Sequence, residues 1–264
     1  MHAWKDVGSD DSRTNAKGTP LLSALTSGTA QFATTHWSVV IAAGQESSTE
    51  KTEALERLCR AYWHPLYVFV RRRGYQPHDA QDLTQSFFAR LLDKQYLKAV
   101  DRTKGRFRSF LLAALQHFLA NEWRNAHAQK RGGQATFLSM DGDGAEVKYL
   151  QVPSTEFSPE KLFEREWATT ILEKVVACLR EEFVSAGKER LFEELKIFLT
   201  GDKRAVSYGE LAKKLGATEA ALKMSVSRMR QRYGELLRSE IAQTVSKPEE
   251  IEDELRTLLA ALSR

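Results

Sequence analysis

Apolar residues in this chain return at the period of a helix, not of a strand. In EALERLCRAYWHPLYVFVRRRG they fall at Leu55, Leu58, Tyr62, Leu66, Phe69 and Val70, which puts them on one helical face. The pattern recurs in QPHDAQDLTQSFFARLLDK, where Leu83, Phe87 and Leu91 make the stripe with Phe88 and Leu92 beside it. No series of alternating residues suggests strands, and no internal repeat is present. The fold class expected is all-α.

Punctuation sets the organisation. Residues 1–33 are rich in Ser, Thr, Gly and Asp without periodicity and read as a disordered tail. In TTHWSVVIAAGQ, Thr34 or Thr35 can cap a short helix carrying Trp37, Val40 and Ile41. Pro65 falls inside the first long helix, where it can bend it. Gly74 ends that helix after three arginines. Residues 132–158 carry glycines and prolines and no helical period, the best linker in the chain. The helix that follows opens with Ser158 as N-cap and Pro159 at the first helical position. KERLFEELKIFLTG is a further helix stopped by Gly201, and residues 241–264 read as a helical tail. Two helical domains, 34–131 and 159–240, are therefore expected on either side of a flexible linker.

The second domain contains SYGELAKKLG, a short helix ended by glycine, and then ATEAALKMSVSRMRQRY, a longer one. Leu211, Ala212, Leu215, Leu222, Val226 and Met229 would face inward. Gly216 occupies the turn, where positive φ comes easily only to glycine. This is helix-turn-helix spacing, whose second helix enters the major groove of DNA. Its outward residues are Thr218, Lys223, Ser225, Ser227, Arg228, Arg230 and Arg232. Arginines clamp phosphates or read guanine edges, and hydroxyls contact either. A solvated basic helix in a small bundle is the bland alternative.

A second basic segment begins at residue 98 and continues into a helix over about 106–130. Its cations are Lys98, Arg102, Lys104, Arg106, Arg108, Arg124, Lys130 and Arg131, against Asp101 and Glu122. Cations interleaved with aromatics suit single-stranded nucleic acid, with bases stacking on rings while charges follow the backbone. Phe107, Phe110 and Phe118 recur at core spacing and belong mainly to the interior. His117, Asn121, Trp123 and His127 are better placed to touch nucleic acid, with packing as the alternative.

Taken together, HDAQDLTQSFFARLL, GRFRSFLLAALQHFLANEWR and SYGELAKKLGATEAALKMSVSRMRQRY resemble the sigma-70 family of bacterial RNA polymerase factors. The likeness is greatest to the compact extracytoplasmic-function type, which keeps regions 2 and 4 on a flexible linker. It covers about residues 50–131 and 160–238, and its most specific part is the Asp-Leu-x-Gln-x-x-Phe order. TTHWSVV and LRSEIAQTV also look like a subgroup of these factors.

The resemblance implies that Asp79, Asp82, Leu83, Gln85, Phe88 and Arg90 dock on the clamp coiled coil of the polymerase's largest subunit. An apolar centre with a selective polar edge is common interface design. It assigns 34–131 to region 2, with the basic segment melting and reading the minus-10 element. Residues 159–240 become region 4, reading the minus-35 element as duplex. An anti-sigma factor is a further possible partner. Some positions depart from the family. His117 and Asn121 stand where Asn and Asp are frequent, Ala217-Thr218 where Ile-Ser or similar is usual, and Ala221-Leu222 where Thr-Val is frequent. Ala221 is a poor reader of bases.

The net charge of +4 is only mildly basic, so the placement of charge matters more than its sum. The two cysteines stand alone in helical patterns and read as buried free thiols rather than zinc ligands. No P-loop, nucleophile elbow or HExxH occurs, and His36, His64 and His78 lack partners at metal or triad spacing. A non-enzymatic chain without a cofactor is expected. No signal peptide and no run of ~18 apolar residues is found, so a cytoplasmic protein is expected. Two rival readings stand beside the sigma factor. A stand-alone helix-turn-helix regulator leaves DAQDLTQSFF unexplained. A helical interaction protein that sequesters polymerase would bind no DNA.

Overall fold

Helix α1 (Thr49–Arg72) runs through Pro65 without ending. Proline removes one backbone donor and crowds the preceding turn, at about 3 kcal/mol in a helix interior. Packing offsets this, because Leu66, Tyr67, Val68, Phe69 and Val70 are all buried. Five consecutive buried residues mean that this end of α1 is enclosed on every side, more than its one-face pattern predicted. Arg73 N–H bonds to Phe69 O, and Gly74 then takes φ 96° and turns the chain.

This computed structural model describes residues 49–91, 106–128, 142–151, 157–199 and 207–263. The expected tail 1–33, the capped helix near Thr34 and Thr35, and the stop at Gly201 lie outside these residues. Among the described residues there are nine α-helices and no strand. After α1 come α2 (Pro77–Leu91), α3 (Phe107–Ala128), α4 (Gly142–Leu150) and α5 (Pro159–Ser185). Then follow α6 (Glu189–Leu195), α7 (Tyr208–Leu215), α8 (Glu219–Ala242) and α9 (Ile251–Leu262).

The central shaft is α5, capped as its sequence predicted. Ser158 Oγ accepts from Lys161 N, and Pro159 stands at the first position. Its 27 residues span about 40 Å at ~1.5 Å per residue. That length carries it through two apolar clusters. Trp167, Ala168, Ile171 and Val175 join Tyr62, Leu66 and Phe69 of α1 and Phe107, Leu111 and Leu115 of α3. Further along, Leu179 joins Leu211 of α7 and Leu222, Val226 and Met229 of α8. Helix α8 spans both clusters too, returning to the first through Leu237 and Ile241.

The core therefore does not divide at 132–158. Residues from both sides of that segment fill one cluster, and all described residues belong to a single compact unit. The segment itself contains α4, which its composition did not suggest. Ala145 is buried in the first cluster, and Glu146 is bound by Arg71 of α1. Two anchors hold a helix whose apolar period is too weak to announce it. The tail is helical as expected, but α9 seats Leu255 and Leu258 in the first cluster, on the α1–α3 side of the molecule.

Candidate partner and nucleic-acid interfaces

The turn between α7 and α8 is locally encoded at each step. Ser207 caps α7 by accepting from Glu210 N, and Glu210 answers by accepting from Ser207 N. Gly216 ends α7 at φ 63°, ψ 33°. Two residues on, Thr218 caps α8 by accepting from Ala221 N. The inward residues are as predicted: Leu211, Ala212, Leu222, Val226 and Met229 are buried, and Leu215 packs partly against them.

The outward face is more tied to its neighbours than the sequence suggested. Arg230 donates through Nε and Nη2 to Phe198 O, at 3.0 and 2.7 Å. Arg232 grips Glu182 of α5 and also meets Glu235. That contact holds the Glu182 carboxyl below its usual range. Both arginines fasten α8 to the bundle. Ser225 is half-buried and donates to Ala221 O, while Thr218 Oγ1 serves the cap. Thr218, Arg230 and Arg232 are exposed all the same, as are Lys223, Ser227 and Arg228, with Lys223 5.6 Å from the Tyr208 ring centroid and 3.6 Å from Glu219. Among the described residues no carboxylate pairs with Arg228. Met224, 55% exposed on the same face, was not singled out from the sequence. Its signal was an apolar residue off the inward stripe.

On α2 the acidic and amide stripe is outward. Asp79 and Asp82 are exposed, and Gln85 is half-buried. His78 Nδ1 lies 3.2 Å from Asp82 Oδ2, one turn away, with both side chains largely in solvent. Leu83 packs partly against the first cluster. Phe88 corrects the expectation of an outward contact. It is 4% exposed and tilted against Phe87, because the large apolar ring lies on the core side of α2. Arg90 is exposed, 3.9 Å from Glu122 and over the Phe118 ring.

Helix α3 divides along its length. Its interior residues Phe107, Leu111, Leu115, Phe118 and Leu119 are buried, and Phe110 packs partly against them. Toward its end His117, Trp123 and Arg124 are exposed, and Arg124 donates to Asn121 Oδ1. Arg90, His117 and Asn121 line one small cleft between α2 and α3 with Phe87, Leu91 and Phe118. Expected contacts for two different partners thus share a wall. Lys98, Arg102, Lys104, Lys130 and Arg131 lie outside the described residues, as does the side chain of His127.

The start of α3 departs most from expectation. Arg108, expected to meet nucleic acid, is 2% exposed. It is ion-paired with Glu254 of α9, lies 4.5 Å over the Trp167 ring and stands 3.7 Å from Glu164. A guanidinium so enclosed presents nothing to solvent. Neighbouring Arg106 lies 2.9 Å from the other oxygen of Glu254. Burial pushes the Glu254 carboxyl up against the pull of Arg108 and Arg106. Phe107 N–H bonds to Thr244 O, tying α3 to the segment before α9.

Cys59 is buried and its thiol is pushed up to about 12 by that burial, whereas Cys178 is only half-buried, unlike the expectation for both. His64 stands 3.3 Å from Glu166 of α5. Among the described residues no group of three His, Cys, Asp or Glu side chains could hold a metal, and no helix is long and apolar enough to cross a membrane. Comparison of the chain with protein-family models, with curated proteins and with solved structures finds no match.

Proposed function

We propose that this chain is a sigma-type initiation factor that brings bacterial core RNA polymerase to particular promoters and helps open them. The observation that carries the reading is the α7–α8 unit. A capping box, a left-handed glycine and a threonine cap set the angle of a helix whose outward edge bears Lys223, Ser227 and Arg228. That edge suits a major groove, where arginine reads guanine and the shorter groups meet phosphate.

Two further surfaces support it. On α2, Asp79, Asp82 and Gln85 lie outward and can meet the cations and amides of a polymerase coiled coil. On α3, exposed Trp123 beside Arg124 offers a stacking ring next to a cation, the pairing that suits a melted strand. Holding duplex at one unit and single strand at another gives the opened state contacts that offset unstacking, a few kcal/mol per base. The factor would have no catalysis of its own and would work in the cytoplasm, with an anti-sigma factor as a possible regulator.

Reconstituted transcription tests this, using bacterial core polymerase and fragmented genomic DNA from the source organism. Wild type is compared with Asp82→Ala/Gln85→Ala. Discrete start sites that require the protein and weaken in the double variant are expected. Duplex DNA shifted without any core binding would replace the proposal with a stand-alone helix-turn-helix regulator. Core binding with no DNA contact would replace it with a sequestering protein.

A further inference from the structure

Every side-chain partner of Arg106 among the described residues belongs to one helix. Its Nε lies 2.9 Å from Glu254 Oε2, its Nη1 donates to Thr257 Oγ1 at 2.9 Å, and its Nη2 is 4.0 Å from Asp253 Oδ2. All three partners sit on the first turns of α9. The same Glu254 pairs with Arg108 through its other oxygen. Two cations two residues apart thus converge on one carboxylate that is 0% exposed.

That arrangement is not what a core needs for stability. Replacing a buried ion pair with apolar side chains of similar volume is often neutral or stabilising, because desolvation cancels much of the attraction. What two guanidiniums around two oxygens match is the geometry of a phosphate. Helix α9 has 12 residues, at the lower limit of helices that hold together alone. Its order depends on Leu255 and Leu258 seated in the first cluster. It is a short element placed over two cations, packed on the first cluster and tied to α8 by the Arg238–Glu252 pair.

We propose that α9 is a built-in competitor for nucleic acid: Glu254 and Asp253 occupy a phosphate site formed by Arg106 and Arg108, and a single strand enters that site when α9 is displaced. This rests on the reading of α3 as a strand-binding helix. Displacement strips the Arg106 guanidinium of its described partners, whereas Arg108 keeps Glu164 and the Trp167 ring. Arg106 is therefore the cation that changes hands, and Arg108 holds the site in shape. Core polymerase or the strand itself can drive the exchange, and the free chain is held in a low-affinity state.

The test measures anisotropy of a labelled 20-nucleotide single-stranded DNA on the full chain at fixed low salt, with amide exchange of α9 in parallel. Variants are Glu254→Gln, the rim pair Asp253→Asn/Thr257→Val, and Arg106→Gln in each background. The rim pair leaves the buried carboxylate in place, so it reports even if Glu254→Gln disturbs the fold. Expected are faster exchange across α9 and about tenfold tighter binding in Glu254→Gln. A smaller gain is expected in the rim pair, and Arg106→Gln should abolish both gains. Unchanged strand binding with α9 open overturns the competitor while leaving duplex and polymerase binding intact. A gain that persists without Arg106 overturns it as well. A wild type that binds neither polymerase nor DNA removes the functional reading, and the competitor falls with it.

Discussion

Arg71 of α1 holds both carboxylate oxygens of Glu146 on α4, with Nε 2.9 Å from Oε2 and Nη2 2.8 Å from Oε1. Tyr67 donates its hydroxyl to Oε2 as well, and the Arg71 guanidinium lies 4.8 Å over the Tyr149 ring. One arginine thus binds α4 by charge and by its planar face. Glu146→Ala should release the helix at about 1–3 kcal/mol, the range for a charge-assisted hydrogen-bonded pair. Amide exchange should then quicken over 144–150 while 58–70 stay protected. Loss of protection in both would mean that α4 supports the whole first cluster.

The same pair carries a pH signature. Arg71, and then Tyr67, hold the Glu146 carboxyl below its ordinary value of 4.5. A carboxylate with a lowered folded pKa contributes stability that is complete above its unfolded value and is lost as pH falls through the folded one. The difference in unfolding free energy between wild type and Glu146→Gln should be constant near neutrality and shrink below pH 4.5. Urea melts at stepped pH would read it, and a difference that grows with acidity would contradict the assignment.

On α2, neighbouring residues should separate fold from binding. Phe88→Ala empties a buried ring position and should lower stability by about 3–5 kcal/mol. Asp82→Ala removes an exposed carboxylate and should stay within about 0.5 kcal/mol of wild type. Pull-down with core polymerase should weaken for Asp82→Ala at unchanged thermal midpoint. Equal polymerase binding by the two proteins would take the stripe out of the interface.

The arginines of α8 should divide as well. Arg228→Ala is expected to weaken duplex promoter binding by about 1–3 kcal/mol, the worth of one base-reading contact. Arg232→Ala breaks an exposed pair with Glu182, which is worth less than about 1 kcal/mol, and should leave DNA affinity nearly unchanged. Fluorescence anisotropy at one salt concentration compares them, and a larger DNA effect at Arg232 would reverse the assignment.

At Gly216 the strain is in the backbone alone. A methyl there would meet nothing within 4 Å, but φ is 63°. Gly216→Ala should therefore destabilise by about 1–2 kcal/mol through conformation, not clash. A urea midpoint equal to wild type would indicate that the turn relaxes out of the left-handed region.

Much of this protein is local and readable along the chain. The helix period, the Ser158 cap, the Gly74 and Gly216 stops and the inward set of α7 and α8 each depend on residues within a turn or two. Short range is why spacing alone predicts them: sterics and capping act before any distant contact exists. Where the sequence misled, charge and length were responsible. Arg108, Arg230 and Arg232 looked like free cations because their partners lie 146, 32 and 50 positions away. Residues 132–158 looked like linker because α4 depends on Arg71, 75 positions back. The division into two domains gave way because α5 and α8 are long enough to cross both apolar clusters. Sequence determined most of the helices, α4 apart, and the apolar face of α2, α7 and α8. Only the tertiary structure decided which cations are buried or tied to a neighbouring oxygen, because a guanidinium binds whichever oxygen the packing brings within reach.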